Sequence, residues 1–430
     1  MSRLVPLVFE TLDQKHIRYC LLRDWDQLFE IASKGGEIDI LVQQNQLPRL
    51  NHLLAQLGFV SIQSWGHAPH HFFFAYDRDA DHWIKLDVVT EIAFGSPNHE
   101  LRTSLGLSCL KNRQRSGSVF IPAPEDEFMA LLLHCVLDKA RFASSRRQRL
   151  ASLQKRISDG QHISILLQQL WPGISWLELS HMIEAEQWQA LLAQRQRVAV
   201  YLSSRDRFAT HWRRIRNQFL RKLGRWLGLL RPQLPMIALL APDGAGKSTL
   251  AAAIEGAFYF PVHSIYMGLY QKGSRTSKPG KLPGLGFAHR LVTQWRRYLL
   301  GRYYQGRGCL VIFDRYTYDA LLPSQRQLSR GQRLRRWLLA HACPAPDLVI
   351  TLDAPASVLY ERKGEHTLDI LEQQRQSYLD LRLHVPQMVV VDATRDPHRV
   401  CQEVISLIWR ALLVRRSGGT IGRTTLVNTV

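Results

Sequence analysis

Nine residues, APDGAGKST over 241–249, constrain this chain more than any other stretch. The apolar run MIALLA (236–241) leads straight into them, and STLAAAIEGAF (248–258) continues in a helical pattern. A buried strand that breaks into a glycine-rich turn and then a helix aims a row of backbone N–H groups at one point. Gly244 and Gly246 permit the turn, and Ala245 keeps it narrow. Lys247 adds a cation, Ser248 offers an oxygen to Mg²⁺, and Thr249 lies in the first turn of the helix. Such a concavity suits phosphate, so a nucleotide is the expected ligand of Asp243–Thr249. The usual first glycine of this pattern is Ala241, which fits if its φ is negative.

The residues after the loop extend an α/β pattern. CLVIFD (309–314), DLVITLD (347–353) and MVVVDA (388–393) read as strands, and VCQEVISLIWRALL (400–413) as a closing helix. Strands alternating with helices predict a parallel sheet covered on both faces. FDRY sets Asp314 and Arg315 at the carboxyl end of a buried strand, where open α/β sheets bind ligands. An acid there orients an acceptor hydroxyl or holds Mg²⁺ through water, and an arginine neutralises a transferring phosphoryl group. A plain surface Asp–Arg pair is the alternative. Arg362, Lys363 and Arg375 are candidates for a cationic lid over the phosphates, or for an ordinary solvated helix.

Taken in order, DGAGKST, FDRY, PDLVITLD, ERKGE, QRQSYLDL and VVVDATRDPHRVCQEVISLIW make residues 236–412 resemble the thymidylate kinase-like branch of P-loop nucleoside monophosphate kinases. The resemblance implies ATP and Mg²⁺ as cofactors, transfer of the γ-phosphoryl group, and a CheY-like order of parallel strands. It further implies that Asp243 lies on the acceptor side, that Lys247 and Ser248 hold phosphate and metal, and that Asp314, Arg315 and Arg362 are catalytic. Two departures bear on the acceptor. TYDALLPSQRQ follows the DRY motif where a base-contacting S-x-A-Y-Q type stretch is usual, and Lys272, Arg275, Lys278, Lys281, Arg290, Arg296 and Arg297 crowd the segment before it. The acceptor is therefore a nucleoside monophosphate or another phosphate or hydroxyl compound.

The N-terminal part carries a second constellation. In GGEIDILV (35–42), Glu37 and Asp39 are two apart on a strand and so share one face. Two such carboxylates repel unless a cation separates them, and Mg²⁺ suits an all-oxygen set. Asp87, in WIKLDVV, is a third acid on a later strand. With YCLLRDW, HAPHHFFFAYD and the helical EDEFMALLLHCVLDK, this region resembles the nucleotidyltransferase superfamily. The resemblance implies an α+β domain with a helical extension, whose triad binds metal ions and either transfers a nucleotidyl group or presents the acceptor. Salt-bridged acids in a binding domain are the alternative. His67, His70 and His71 read as loop or surface residues, with phosphate or metal contact as the rival reading.

Between these parts, residues 204–230 place Phe208, Trp212, Ile215, Phe219, Leu223, Trp226 and Leu230 at helical spacing, with arginines on the other face. Burial of the aromatic face against a neighbouring domain and docking on an anionic membrane both account for this pattern. The formal charge of +20 favours phosphate-rich partners, with nucleic acid the least favoured. No apolar run is long enough to span a bilayer. The six cysteines are scattered without a Cys-x-x-Cys pair, which suggests neither a disulfide framework nor a zinc site and suits a cytoplasmic protein, peripheral at a membrane if the helix docks there. The expected organisation is 1–122 nucleotidyltransferase-like, 123–203 helical, 204–232 basic linker helix, 233–415 thymidylate kinase-like and 416–430 flexible tail. A homodimer is left open. A nucleotide-dependent switch, docking on membrane or nucleic acid, is the rival to an enzyme.

Overall fold

The computed structural model describes residues 3–23, 25–269, 285–324, 327–364, 366–385 and 387–416. Lys272, Arg275, Lys278, Lys281, Glu365 and the tail from 417 lie outside the described residues. The chain divides into two compact units, Met1–Gly224 and Arg225–Val430.

The first unit is built on a mixed sheet. Its strands are β1 (Tyr19–Leu21), β2 (Gly36–Val42), β3 (Val60–Ile62), β4 (His70–Asp77) and β5 (His82–Val89), in the order β1-β2-β5-β4-β3. Strands β2 and β5 are parallel, and the other neighbours are antiparallel. Two short ladders follow, β6 (Ala93–Phe94) with β7 (Leu101–Arg102) and β8 (Gln114–Ser116) with β9 (Val119–Ile121). Alternation along β2 divides two cores, because successive strand residues face opposite ways. Ile38, Ile40 and Val42 pack with the helices Leu4–Gln14 and Leu47–Gln56. Leu41 joins Val89 in a second core made largely of helices between Pro124 and Ser204. Those helices and the sheet thus share apolar packing.

The second unit is a five-stranded parallel sheet flanked by helices. Its strands are β10 (Met236–Leu240), β11 (Val262–Tyr266), β12 (Leu310–Asp314), β13 (Leu348–Asp353) and β14 (Met388–Asp392). Their order is β11-β12-β10-β13-β14. This corrects the CheY-like expectation: that order puts the second strand beside the first, whereas here β12 and β13 flank β10. Strand composition accounts for part of this order. MIALL, LVIFD and LVITLD are almost wholly apolar and take the three central places. VHSIY, which carries His263 and Ser264, takes one edge; MVVVD, as apolar as the central strands, takes the other and is half-exposed along its middle because it has a neighbour on one side only.

Candidate active site

The strand order sets the second unit's cleft. Leu239 on β10 is in register with Asp314 on β12, and Arg315 N–H donates to Leu239 O at 3.0 Å. The loop after β10 and the Asp314–Arg315 pair are therefore side by side at the carboxyl ends of the strands. Gly244 and Gly246 both have φ of +89°, in the region that favours glycine. A Cβ on Gly244 would also approach Leu359 O to 3.0 Å. Ala241 is not among the described residues of positive φ, so alanine is accommodated there.

The helix Lys247–Ala257 starts directly behind this turn. Lys247 is buried, and its Nζ donates to Ala241 O and Pro242 O, each at 2.8 Å. Burial, then the charge of Arg315, pushes its pKa down to about 8, against the pull of Asp243 and Asp314. Ser248 and Thr249 are exposed at the helix start.

Across the cleft Arg315 has φ of +65°, an uncommon conformation for a residue with a Cβ. Its guanidinium meets Asp243 Oδ1 at 2.5 Å, Tyr378 Oη at 3.1 Å and Asp319 Oδ2 at 3.5 Å. Burial alone would lower the Arg315 pKa, but Tyr378, Asp319 and Asp243 raise it, so the cation is permanent. Burial raises the Asp319 pKa, with Arg315 and Lys247 acting against it. Asp314 Oδ1 is buried and has no hydrogen-bond partner among the described residues. A buried acceptor left unpaired is costly, so a ligand proton, a water or a metal-bound water is what fits it.

The cleft has a volume of about 790 Å³, in the range of small-molecule sites. Asp243–Leu250 form one wall, Asp314, Arg315 and Asp319 a second, and Arg362, Lys363 and Arg395 a cationic third. Arg362 donates to Ala393 O at 3.0 Å. Arg375 is held away from this role. It grips Asp353 through two bonds of 2.6 and 3.0 Å and also touches Glu372. All of Asp243, Gly244, Ala245, Gly246, Lys247, Ser248, Thr249, Asp314, Arg315 and Arg362 thus line one cleft. Sequence reasoning missed Asp319 and Tyr378. Asp319 lies four residues after Arg315, in the short helix Thr317–Leu321, and Tyr378 sits in the QRQSYLDL segment. The donor set of inward backbone N–H groups, one lysine and several arginines suits a polyphosphate, and Ser248 with Asp314 suits a hard divalent cation.

The first unit also gathers its acids. Asp39 on β2 is in register with Asp87 on β5, and candidate ligand atoms of Glu37, Asp39 and Asp87 all lie within 4.8 Å of one another. Each has a basic partner: Lys85 on Glu37 at 2.8 Å, Arg23 on Asp39 at 2.8 Å, and the His70 ring, through Nδ1, on Asp87 at 2.9 Å. Burial pushes the Asp39 carboxyl up to about 6, opposed by Arg23 and helped by Asp87 and Glu37. The glycine turn before them is needed, since a Cβ on Gly35 would meet Trp83 O at 2.7 Å. His67 and His71 are both lowered in pKa by burial, which favours neutral rings.

No family model matches the chain. Among curated proteins it is similar to a protein of Thermococcus onnurineus (strain NA1) described as "Probable thymidylate kinase", 30% identical over 118 residues. That stretch is 25% of this chain and 56% of the relative, so the chain spans little more than half the relative's length. Among solved structures it is similar to the thymidylate kinase of Candida albicans, at 20% identity and a TM-score of 0.30, covering 41% of this chain and 91% of that one. Part of the chain is a thymidylate kinase-like region of the P-loop kinase superfamily. Neither likeness is to a nucleotidyltransferase.

Proposed function

We propose that the second unit transfers the γ-phosphoryl group of ATP to a phosphate- or hydroxyl-bearing acceptor. The observation that carries this reading is the pairing of two half-sites in one cleft. One is the glycine turn with buried Lys247, and the other is Asp314 and Arg315 on the adjacent strand end. Backbone N–H groups of Gly244–Thr249 would hold the β-phosphate, and Lys247 would leave its two carbonyl partners to neutralise β/γ charge. Ser248 and Asp314 would hold Mg²⁺, which offsets charge between the phosphates. Arg315, fixed by Asp243, Asp319 and Tyr378, would meet the transferring group or the acceptor without reorganising first. Arg362 would approach the γ-phosphate from the cationic wall. In the reaction the bond from the γ-phosphorus to the bridging oxygen breaks and a bond to the acceptor oxygen forms. ADP leaves, and a hydroxyl acceptor gives its proton to a carboxylate of the Asp314 and Asp319 pair.

A pure switch needs no second half-site, so the Asp314–Arg315–Asp319 wall favours a kinase over the rival reading. The test is γ-labelled ATP with Mg²⁺ and a panel of nucleoside monophosphates, sugars, sugar phosphates and polyprenyl lipids, with Lys247→Ala as control. Label on one acceptor class, lost in Lys247→Ala, supports the reading. Label only in free phosphate, unstimulated by any acceptor, points to the switch.

For the first unit, the convergence of Glu37, Asp39 and Asp87 favours a nucleotidyltransferase-like metal site that transfers a nucleotidyl group or presents the acceptor. Its test is Mn²⁺ binding followed by electron paramagnetic resonance, using Asp39→Asn. Equal binding by the two proteins would leave only a salt-bridged cluster.

A further inference from the structure

The helix Arg207–Leu230 faces the opposite way from an ordinary amphipathic helix. Within the first unit its polar side is the buried one. Asn217 is fully buried and donates to Asn98 O at 2.7 Å and to Ala68 O at 3.4 Å. Arg213 donates to Glu100 O and Arg221 to Pro97 O, each at 3.0 Å, and Arg214 pairs with Glu100 at 2.9 Å. These bonds fix the helix's rotation. They leave Phe208, Trp212, Ile215 and Phe219 outward, 84%, 58%, 45% and 60% exposed. Their spacing of four, three and four residues makes one stripe along three turns. Scattered exposed apolar residues are ordinary, but a contiguous aromatic stripe marks a contact surface.

Charge identifies the contact. The 24 residues of this helix carry seven Arg and Lys and no acid, and of these Arg213, Arg214 and Arg221 are bonded on the inward side. Arg207 and Lys222 are exposed along the stripe, and Arg205 just before it. Of the acids beside the helix, Asp206 is occupied by Arg213 and by the N–H of Ala209, and Glu100 by Arg214 on the inward side. A second copy would bring the same cations against this face, which like charges oppose. An anionic lipid surface would meet both features at once, taking the aromatic rings into its headgroup layer and pairing phosphates with the flanking arginines. The second unit repeats this character. The helix Leu285–Gly306 has four arginines, no acid and exposed Val292, Trp295 and Leu299. The helix Arg330–Ala340 has four arginines, no acid and exposed Leu334 and Trp337. No helix among the described residues is long and apolar enough to cross a membrane, so contact is with the surface.

We propose that the Phe208–Phe219 face docks the protein in the plane of an anionic membrane surface. This rests on exposure and charge and is independent of the catalytic reading.

The test is sedimentation of the full chain with vesicles of phosphatidylcholine, with and without about 30% phosphatidylglycerol. Wild type is compared with Trp212→Ser, Phe219→Ser and the double variant. Both side chains are more than half exposed, so circular dichroism and melting temperature should stay close to wild type. The expected result is binding to the anionic vesicles only, weakened about tenfold by either change and about a hundredfold by both. Absence of binding overturns the proposal. So does binding equally strong in the double variant, since arginines alone then account for it. A concentration-dependent dimer lost in the double variant, without vesicle binding, assigns the face to a second copy instead. Preferential retention of a structured RNA through the same two aromatics assigns it to nucleic acid. Both results overturn the membrane reading.

Discussion

Lys247 is buried, cationic and held by two carbonyl oxygens, and that combination has a pH signature. Its pKa of about 8 lies below the ordinary 10.5, so between these values the folded protein binds fewer protons than the unfolded chain. This group therefore costs stability below pH 8, and the cost disappears as pH rises through the window. A bound polyphosphate reverses the preference by stabilising the ammonium. Nucleotide binding should take up close to one proton per site at about pH 9, and affinity should fall as pH rises above 8, by up to about tenfold per unit. Titration calorimetry in buffers of different ionisation enthalpy measures the uptake, and Lys247→Met should abolish it. The residues of this wall were legible because the loop is local: strand, glycine turn, lysine and helix lie within about twenty residues. Asp319 and Tyr378 were not legible. They become partners of Arg315 only because its positive φ turns the guanidinium inward, and because a helix more than sixty residues later returns to the same spot.

Whole elements were readable where composition decides their place. The strands themselves were readable as apolar runs, but their order was not: MVVVD is as apolar as LVIFD and still takes an edge, and the CheY-like order implied by family likeness was wrong. The Arg207–Leu230 helix was readable as amphipathic and not as inverted. Periodicity says that a helix has two faces, and only the acceptors Asn98 O, Ala68 O, Pro97 O and Glu100 O decide which is buried. Asn217 is the residue that fixes this choice. Asn217→Ala leaves buried carbonyls without their donor and should cost about 1–3 kcal/mol. Chemical denaturation measures it, as a lower midpoint with little change in slope. Phe219→Ser, on the outer face of the same helix, should change stability by less than about 0.5 kcal/mol. A larger loss from the serine than from the alanine would contradict the inverted arrangement.

Across the whole chain, each unit has its own apolar core. Ligands that bind one unit should stabilise that unit alone. Scanning calorimetry should resolve two transitions, and Mg·ATP at about a hundred times its Kd should stabilise only one, by about 2.7 kcal/mol. Lys247→Ala should remove the shift. Glu37 and Asp39 were expected on one face from their two-residue spacing, with Asp87 a candidate third, and it is the parallel register of β2 with β5 that brings Asp87 opposite Asp39. Their occupied state, with Arg23, Lys85 and His70 in place, was not legible, since those partners come from separate segments. Charge was the most informative global number and the least specific one. It pointed to phosphate-rich partners, and the structure divides that basic character between the cleft lined by Lys247, Arg315 and Arg362 and outward helices.

The central claim is that the cleft between Lys247 and Arg315 moves a phosphoryl group to an acceptor. Phosphorus NMR on ATP, Mg²⁺ and the acceptor class found to accept label follows every phosphorus atom at once. The account predicts a new phosphoester or phosphoanhydride resonance that grows in step with ADP and is absent in Lys247→Ala. Growth of ADP and inorganic phosphate alone, at a rate the acceptor does not change, would contradict it.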